Sequence, residues 1–366
     1  MLSKQNLSIF AIDINRNNKM YAIISKLRGI LFDSGIIKSS EFDIPIINVG
    51  NLAVGGSGKT PHIEYLIDLL SKDYNIATLS RGYGRKTRGY REVFANSTAI
   101  ESGDEPLQIK LKYPNINVFV GEDRVEAVTK LLFDHPNIDI ILLDDAYQHR
   151  AIKAGFNILL TDYQKIFTRD KSMPVGRLRE YPDAANRSNL VIVSKCPSNI
   201  SKEKKAELAG EISKYTNSQI FFSTVDYKPL IPFNSAVAMP NNIDNILVIS
   251  GLAKPQPMFD YINGQYSQAK IKHLEYRDHY NFTTKDISLF IENFNTFAGS
   301  NKLIIISEKD SARLKDISSG TDFEKLPIFA LPIGISFIGG NKDFNTKITD
   351  YVRPNSRNYN IPKEQN

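Results

Sequence analysis

From Ile44 onward, short apolar runs rich in β-branched residues alternate with stretches whose apolar positions recur at helical spacing. The runs fall at 44–49, 75–80, 116–120, 138–143, 157–161 and 189–194. This alternation is the βαβ pattern of a parallel sheet covered by helices on both faces. After the first run, Ile63, Leu66, Ile67 and Leu70 mark a helix that begins at Pro61, directly behind a glycine-rich turn. The run from Gln219 to Thr224 leads into a stretch holding Pro229, Pro232 and Pro240, which reads as a linker. A second α/β unit starts near Asn245, with strands at 246–250, 270–276 and 302–306. Ahead of the first strand, Met20, Ile23, Ile24, Leu27, Ile30 and Leu31 repeat at helical spacing, with Lys26 and Arg28 on the other side. That amphipathic helix either packs on the protein's own core or lies among lipid headgroups. The expected organisation is an N-terminal amphipathic segment (1–40), a main α/β domain (41–226), a linker (227–244), a smaller C-terminal α/β domain (245–350) and a polar tail (351–366).

A chain of 366 residues exceeds what one core supports, in keeping with two domains. One cysteine, Cys196, excludes an internal disulfide and a cysteine-built zinc site, which suits a reducing compartment. No apolar run reaches the length of a membrane-spanning helix. The formal net charge of +6 favours anionic partners without choosing among nucleotide, nucleic acid and membrane surface. No aromatic residues interleave the basic ones as a single-strand nucleic-acid groove requires, so nucleic acid is not expected as a partner.

Chemistry enters at Gly50-Asn-Leu-Ala-Val-Gly-Gly-Ser-Gly-Lys-Thr-Pro61, which nearly matches the phosphate-loop pattern G-x-x-x-x-G-K-[ST], with Ala53 in place of the first glycine. Ala53, Val54, Gly55, Gly56, Ser57, Gly58, Lys59 and Thr60 would form the nucleotide-binding turn. Backbone N–H groups converge on phosphate oxygens, Lys59 reaches the terminal phosphates and Thr60 ligates magnesium. The fold class is therefore α/β, a P-loop NTPase parallel sheet flanked by helices with a second, smaller α/β domain. At Ile140-Ile-Leu-Leu-Asp144-Asp145 an apolar strand delivers two carboxylates at its C-terminal end, where ligands bind in open α/β sheets. Such a pair is the expected second half of a magnesium–nucleotide site. Ser80-Arg81-Gly-Tyr83-Gly84, Gly103-Asp104-Glu-Pro106, Gly121-Glu-Asp-Arg124 and Gly176-Arg177-Leu-Arg179 add loops suited to anionic groups, because guanidinium forks bind phosphate bidentately. His279, in Arg277-Asp-His279, is singled out among five histidines, none of which pair at metal-site spacing.

Two other phosphate-loop classes compete. A dimerising switch ATPase of the partitioning or metal-delivery type, which acts on a protein partner, usually carries a lysine where Val54 stands. A GTP switch needs an aspartate where the chain has Ser194-Lys-Cys-Pro197, which favours ATP.

Taken as a set, Val49–Pro61, Ser80–Gly84, Gly103–Pro106, Asp144-Asp-Ala-Tyr-Gln-His149 and Arg277–His279 closely resemble the tetraacyldisaccharide 4'-kinase family. The resemblance spans roughly residues 20–315. It implies transfer of a phosphoryl group from ATP, with magnesium, to the 4'-hydroxyl of a tetraacylated glucosamine disaccharide 1-phosphate in lipid A biosynthesis. It places the chain as a peripheral protein on the cytoplasmic face of the bacterial inner membrane, with no obligate protein partner. Carried over by position, Lys59 and Thr60 serve nucleotide and magnesium, and Asp144 and Asp145 stand near the metal. Asp104 is then the catalytic base, assisted by His279 from the second domain. Arg81, Tyr83, Gln148, His149, Arg177 and Arg179 become candidates for substrate contact.

Overall fold

The computed structural model describes residues 27, 29–234, 238–278 and 280–355. Most of the amphipathic segment expected within 1–40, and His279, lie outside the described residues.

In chain order the strands are β1 (Ile46–Asn51), β2 (Ile76–Ser80), β3 (Arg91–Val93), β4 (Asn117–Val120), β5 (Ile140–Asp144), β6 (Phe156–Asp162), β7 (Leu190–Ser194) and β8 (Gln219–Tyr227). They continue with β9 (Ile231–Pro232), β10 (Asn245–Ser250), β11 (Lys270–Glu275), β12 (Lys302–Ser307), β13 (Ile328–Leu331) and β14 (Ile333–Phe337). Five helices bear on the argument: α1 (Lys59–Leu70), α2 (Asp104–Lys112), α3 (Arg124–Asp134), α4 (Glu308–Ser318) and α5 (Lys342–Asn355).

Strands β8, β7, β6, β1, β5, β2 and β4 lie side by side and parallel, with antiparallel β14 and β3 at the two edges of the sheet. Their consecutive apolar residues serve both faces. Ile47, Val49, Ile140 and Leu142 pack under α1 on one side, while Ile46, Leu79, Ile141 and Leu143 pack with Val128 and Leu131 of α3 on the other. Because the central strands are parallel, β1, β2, β4, β5, β6 and β7 all end at one edge, and the candidate loops at 53–60, 81–84, 121–124, 144–149 and 176–179 follow strands that end there. The second sheet runs β11, β10, β12 and β13 in parallel, with β9 antiparallel at its rim.

Two stretches differ from the sequence expectation. Residues 231–232, read as linker, form β9, and Phe233 N donates to Ile328 O at 2.9 Å. The segment 333–355, read as second domain and tail, returns to the first sheet: β14 pairs with β8, and Phe344, Ile348 and Val352 of α5 enter the core that holds Ile63 and Leu66 of α1. The nine-residue β8 would otherwise be an open sheet edge, and pairing with β14 closes it. The chain thus crosses between lobes twice, side by side, where Lys228 N donates to Pro332 O at 2.9 Å.

Candidate functional site

β1 runs directly into the glycine-rich turn, and α1 starts at Lys59 with Thr60 next to it. Gly55 and Gly58 hold φ of 112° and 82°, conformations that side chains resist, so the turn can close tightly ahead of the helix. α1 has no side-chain cap and no acidic residue in its first turn. Its leading N–H groups therefore lack internal acceptors, the arrangement that attracts phosphate. The turn is braced by its neighbours. Asn51 Nδ2 donates to Ser57 Oγ at 2.9 Å, and Ser194 Oγ, at the end of β7, donates to Ser57 O at 2.8 Å. Lys195, itself at φ 58°, donates to Gly56 O and pairs with Asp162 at 3.2 Å. Val54 N donates to Arg177 O at 2.8 Å and Arg179 N to Leu52 O at 2.7 Å, so the Arg177–Arg179 segment lies along the turn.

The acidic pair faces this turn. Asp144, the last residue of β5, is buried, and its Oδ1 has no hydrogen-bond partner among the described residues. Burial, reinforced by nearby Glu105, raises its pKa well above the ordinary carboxylate value, against the opposing pull of Lys59. Asp145 sits at φ 53°, a left-handed backbone uncommon outside glycine and of the kind retained at functional sites. Arg179 grips it with Nη2 to Oδ1 at 2.6 Å and Nη1 to Oδ2 at 3.1 Å, and Lys59 Nζ stands 3.6 Å from Oδ2. Burial works to raise its pKa, but Lys59 and Arg179 together bring it below the usual range. An orphaned buried carboxylate oxygen beside a second carboxylate is what a hard divalent cation would satisfy. The residues present therefore fit magnesium. Among the described residues no cluster of three or more His, Cys, Asp or Glu side chains could hold a metal alone. A cation here would need Thr60 and phosphate oxygens to complete its shell.

Asp104 is the first residue of α2, placed by the glycine before it. Gly103 adopts φ 91°, and a Cβ there would lie 2.9 Å from Tyr83 O and 3.2 Å from Gly82 Cα. That close backbone approach locks the Arg81–Tyr83 loop to the start of α2. Asp104 Oδ2 accepts from Arg313 Nε at 2.8 Å and Nη2 at 2.7 Å, both from α4 of the second lobe. Tyr83 is largely exposed at the rim, with Arg81 beside it. Gln148 Nε2 donates to Asn51 O at 3.0 Å, and His149 N donates to Ala146 O at 2.9 Å.

Lys59, Asp145, Arg179 and Gln148 thus meet at one place, and Asp144 is near enough to feel Lys59 and Glu105. Arg177 instead pairs with Asp170 at 2.8 Å, and Arg179 spends its fork on Asp145 and Asn51. Sequence reasoning passed over Asn51, Glu105 and Arg313. It placed Arg124 only among loops suited to anionic groups, yet this residue is 2 % exposed, its Nε and Nη2 have no partner among the described residues, and burial lowers its pKa to about 10 near Asp144 and Asp145. The signal for Glu105 and Arg124 was present in their motifs. For Arg313 no local signal existed.

The sequence profile of the tetraacyldisaccharide-1-P 4'-kinase family matches residues 17–353. The chain belongs to that family. A tetraacyldisaccharide 4'-kinase of Flavobacterium johnsoniae is 42% identical over 338 residues, covering 92% of this chain and 95% of the relative. That of Bacteroides thetaiotaomicron is 39% identical over 361 residues, covering 95% and 94%. The crystal structure of LpxK from Aquifex aeolicus in complex with ATP superposes with a TM-score of 0.70 at 24% identity, covering 93% of this chain and 98% of that one. The likeness establishes the shared kinase fold. Family membership sets aside the switch-ATPase alternative.

Proposed function

We propose that the chain transfers the γ-phosphoryl group of ATP to the 4'-hydroxyl of a tetraacyldisaccharide 1-phosphate, a step of lipid A and lipopolysaccharide biosynthesis. That it is a kinase of this family follows from the profile match and from relatives near 40% identity. The observation that supports the residue-level reading is the pairing of an uncapped helix start, carrying Lys59 and Thr60, with the buried orphan oxygen of Asp144.

The N–H groups of Val54 to Thr60 cradle the β- and γ-phosphates, and Lys59 balances the charge that spreads over the transferring group. Magnesium, held by Thr60 and the Asp144–Asp145 pair, would supply further charge neutralisation on the phosphate oxygens. Asp104 accepts the proton of the 4'-hydroxyl as that oxygen bonds to the γ-phosphorus. The bond from the γ-phosphorus to its bridging oxygen breaks, and ADP leaves. His279 remains the proposed helper of Asp104. Arg81, Tyr83, Gln148 and His149 line the acceptor side of the same edge.

The acceptor's acyl chains call for a membrane surface. Leu27, Ile30 and Ile36 are exposed apolar residues just ahead of β1, and no helix among the described residues is long and apolar enough to cross a membrane. Arg150 ties this stretch to the end of the acidic loop, donating to Gly29 O at 2.8 Å and pairing with Asp33 at 2.6 Å. An apolar edge so placed suits peripheral attachment to the cytoplasmic face of the inner membrane.

A radiolabelled phosphate-transfer assay with and without lipid disaccharide 1-phosphate tests the reading. Acceptor-dependent ATP consumption is expected, largely lost in Asp104→Ala and reduced by about 3–4 kcal/mol of transition-state stabilisation in Lys59→Ala. Near wild-type turnover in both variants would refute the site.

A further inference from the structure

We infer that Arg313, from the second lobe, is a positioning residue that orients Asp104 for proton abstraction, so that the base is set only when the two lobes are joined along α2 and α4. The inference rests on the reading of Asp104 as the base and extends it to a residue in no recognised motif of the chain.

The geometry is specific. Arg313 is nearly enclosed, with 6% of its side chain exposed, and each of its three nitrogens is used across the seam or within its own lobe. Nε and Nη2 converge on Asp104 Oδ2 at 2.8 and 2.7 Å. Nη1 faces Asp310 Oδ1 at 3.2 Å, with Gly251 O at 3.5 Å. Asp310 is wholly buried and is fixed in turn, because its Oδ2 accepts from Gly251 N at 2.9 Å and from Ser307 Oγ at 2.6 Å. Ser307 ends β12 and caps α4 by accepting from Asp310 N at 3.0 Å. A chain of contacts therefore runs from the β12 strand end through Asp310 and Arg313 to a carboxylate of the first lobe. A guanidinium held on its far side aims two N–H groups at Oδ2 and so fixes the position of that oxygen, which a single flexible ammonium would not.

Nearby pairs make the seam between α2 and α4. Lys309 stands 3.6 Å from Glu105, and Lys112 bridges Glu64 at 2.8 Å and Glu308 at 3.0 Å. These pairs lie along the same two helices as the Asp104–Arg313 contact, and they engage Glu105, Glu64 and Glu308 rather than Asp104. The seam thus separates two roles. The Lys112 end joins the lobes, and the Arg313 end joins them at the reacting carboxylate. A base oriented this way loses turnover without losing ground-state binding when its orienting partner is removed.

The test is steady-state kinetics on the full chain with ATP, magnesium and tetraacyldisaccharide 1-phosphate. Arg313→Ala is expected to lower kcat about 10- to 100-fold, the scale of a lost hydrogen bond to a charged group, with KM for ATP and acceptor unchanged. Added guanidinium ion, far below unfolding concentrations, should restore part of that loss, and Arg313→Lys should fall between the two. Glu308→Gln, at the other end of the seam, should leave kcat as it is. Where Arg313→Ala fails to fold because Asp310 is left buried and unpaired, the Arg313→Ala/Asp310→Asn double variant removes the stranded charge and carries the same kinetic readout. Wild-type kcat in Arg313→Ala overturns the inference, as does a loss that guanidinium leaves unchanged and that Glu308→Gln reproduces. If Asp104→Asn is itself active, the reading of Asp104 has failed. If Asp104→Asn is inactive while Arg313→Ala is not, only the role of Arg313 has.

Discussion

His62 shows how a single side chain ties the phosphate turn to the sheet. Its Nδ1 lies 2.7 Å from Gly58 O, which can only accept, so Nδ1 carries the hydrogen and Nε2 accepts from Ser223 Oγ at 3.0 Å. Full burial, with Lys195 nearby adding to it, lowers the imidazole pKa from 6.5 to about 4 despite the Gly58 contact. The ring is neutral in the folded protein and basic in the unfolded chain. Its contribution is thus fully present above pH 6.5 and is lost as pH falls from 6.5 through 4, by about 3 kcal/mol in total. Urea denaturation of wild type and His62→Gln at neutral and mildly acidic pH checks this. The acid-induced loss should be smaller in the variant, and equal losses would assign it to other groups. The proposed roles of Lys59 and Thr60 could be read from sequence because they depend on a turn of eight consecutive residues. His62 could not, because its meaning depends on Ser223, contributed by β8.

At the scale of elements, the joint between the Arg81–Tyr83 loop and α2 is the most constrained contact near the proposed base. Gly103 combines a positive φ of 91° with a backbone oxygen 2.9 Å from where a Cβ would stand. Gly103→Ala should cost about 1–3 kcal/mol of stability from the backbone conformation alone. It should also lower kcat, since relief of the clash must push Asp104 away from its partners. Chemical denaturation and turnover measured together would check this, and unchanged values in both would mean that the joint yields freely. The strands were legible as elements: the runs at 138–143 and 189–194 became β5 (Ile140–Asp144) and β7 (Leu190–Ser194). Their apolar residues are consecutive because helices cover both faces, and that signal is local. Short edge strands such as β3 and β9 escaped, since exposed residues on two- and three-residue pairings leave almost no pattern.

Across the whole molecule, the return of the chain to the first sheet changes what each lobe depends on. Phe344 of α5 is 2 % exposed and packs against Tyr65 of α1, Phe221 of β8 and Phe337 of β14. Phe344→Ala should therefore destabilise the phosphate-binding lobe by about 3–5 kcal/mol, although the residue lies beyond the second lobe in sequence. Hydrogen exchange resolves where the loss falls. Weakened protection in β8 and α1 is expected, and weakening confined to β10–β13 would contradict the packing. Two antiparallel crossings at 227–233 and 331–333, bonded through Lys228 and Pro332, also mean that a paired ribbon rather than a single linker joins the lobes.

The sequence by itself determined the α/β class, the glycine-rich turn between β1 and α1, the acidic pair at the end of β5 and the family, because each is written in residues close together along the chain. Tertiary structure alone decided that Arg179 grips Asp145, that Arg313 reaches Asp104 from the other lobe, and that 333–355 belongs to the first sheet. Those contacts join residues 34, 209 and roughly a hundred positions apart, where neither periodicity nor motif spacing carries information. Only the packing of the sheets and helices brings them within hydrogen-bonding range.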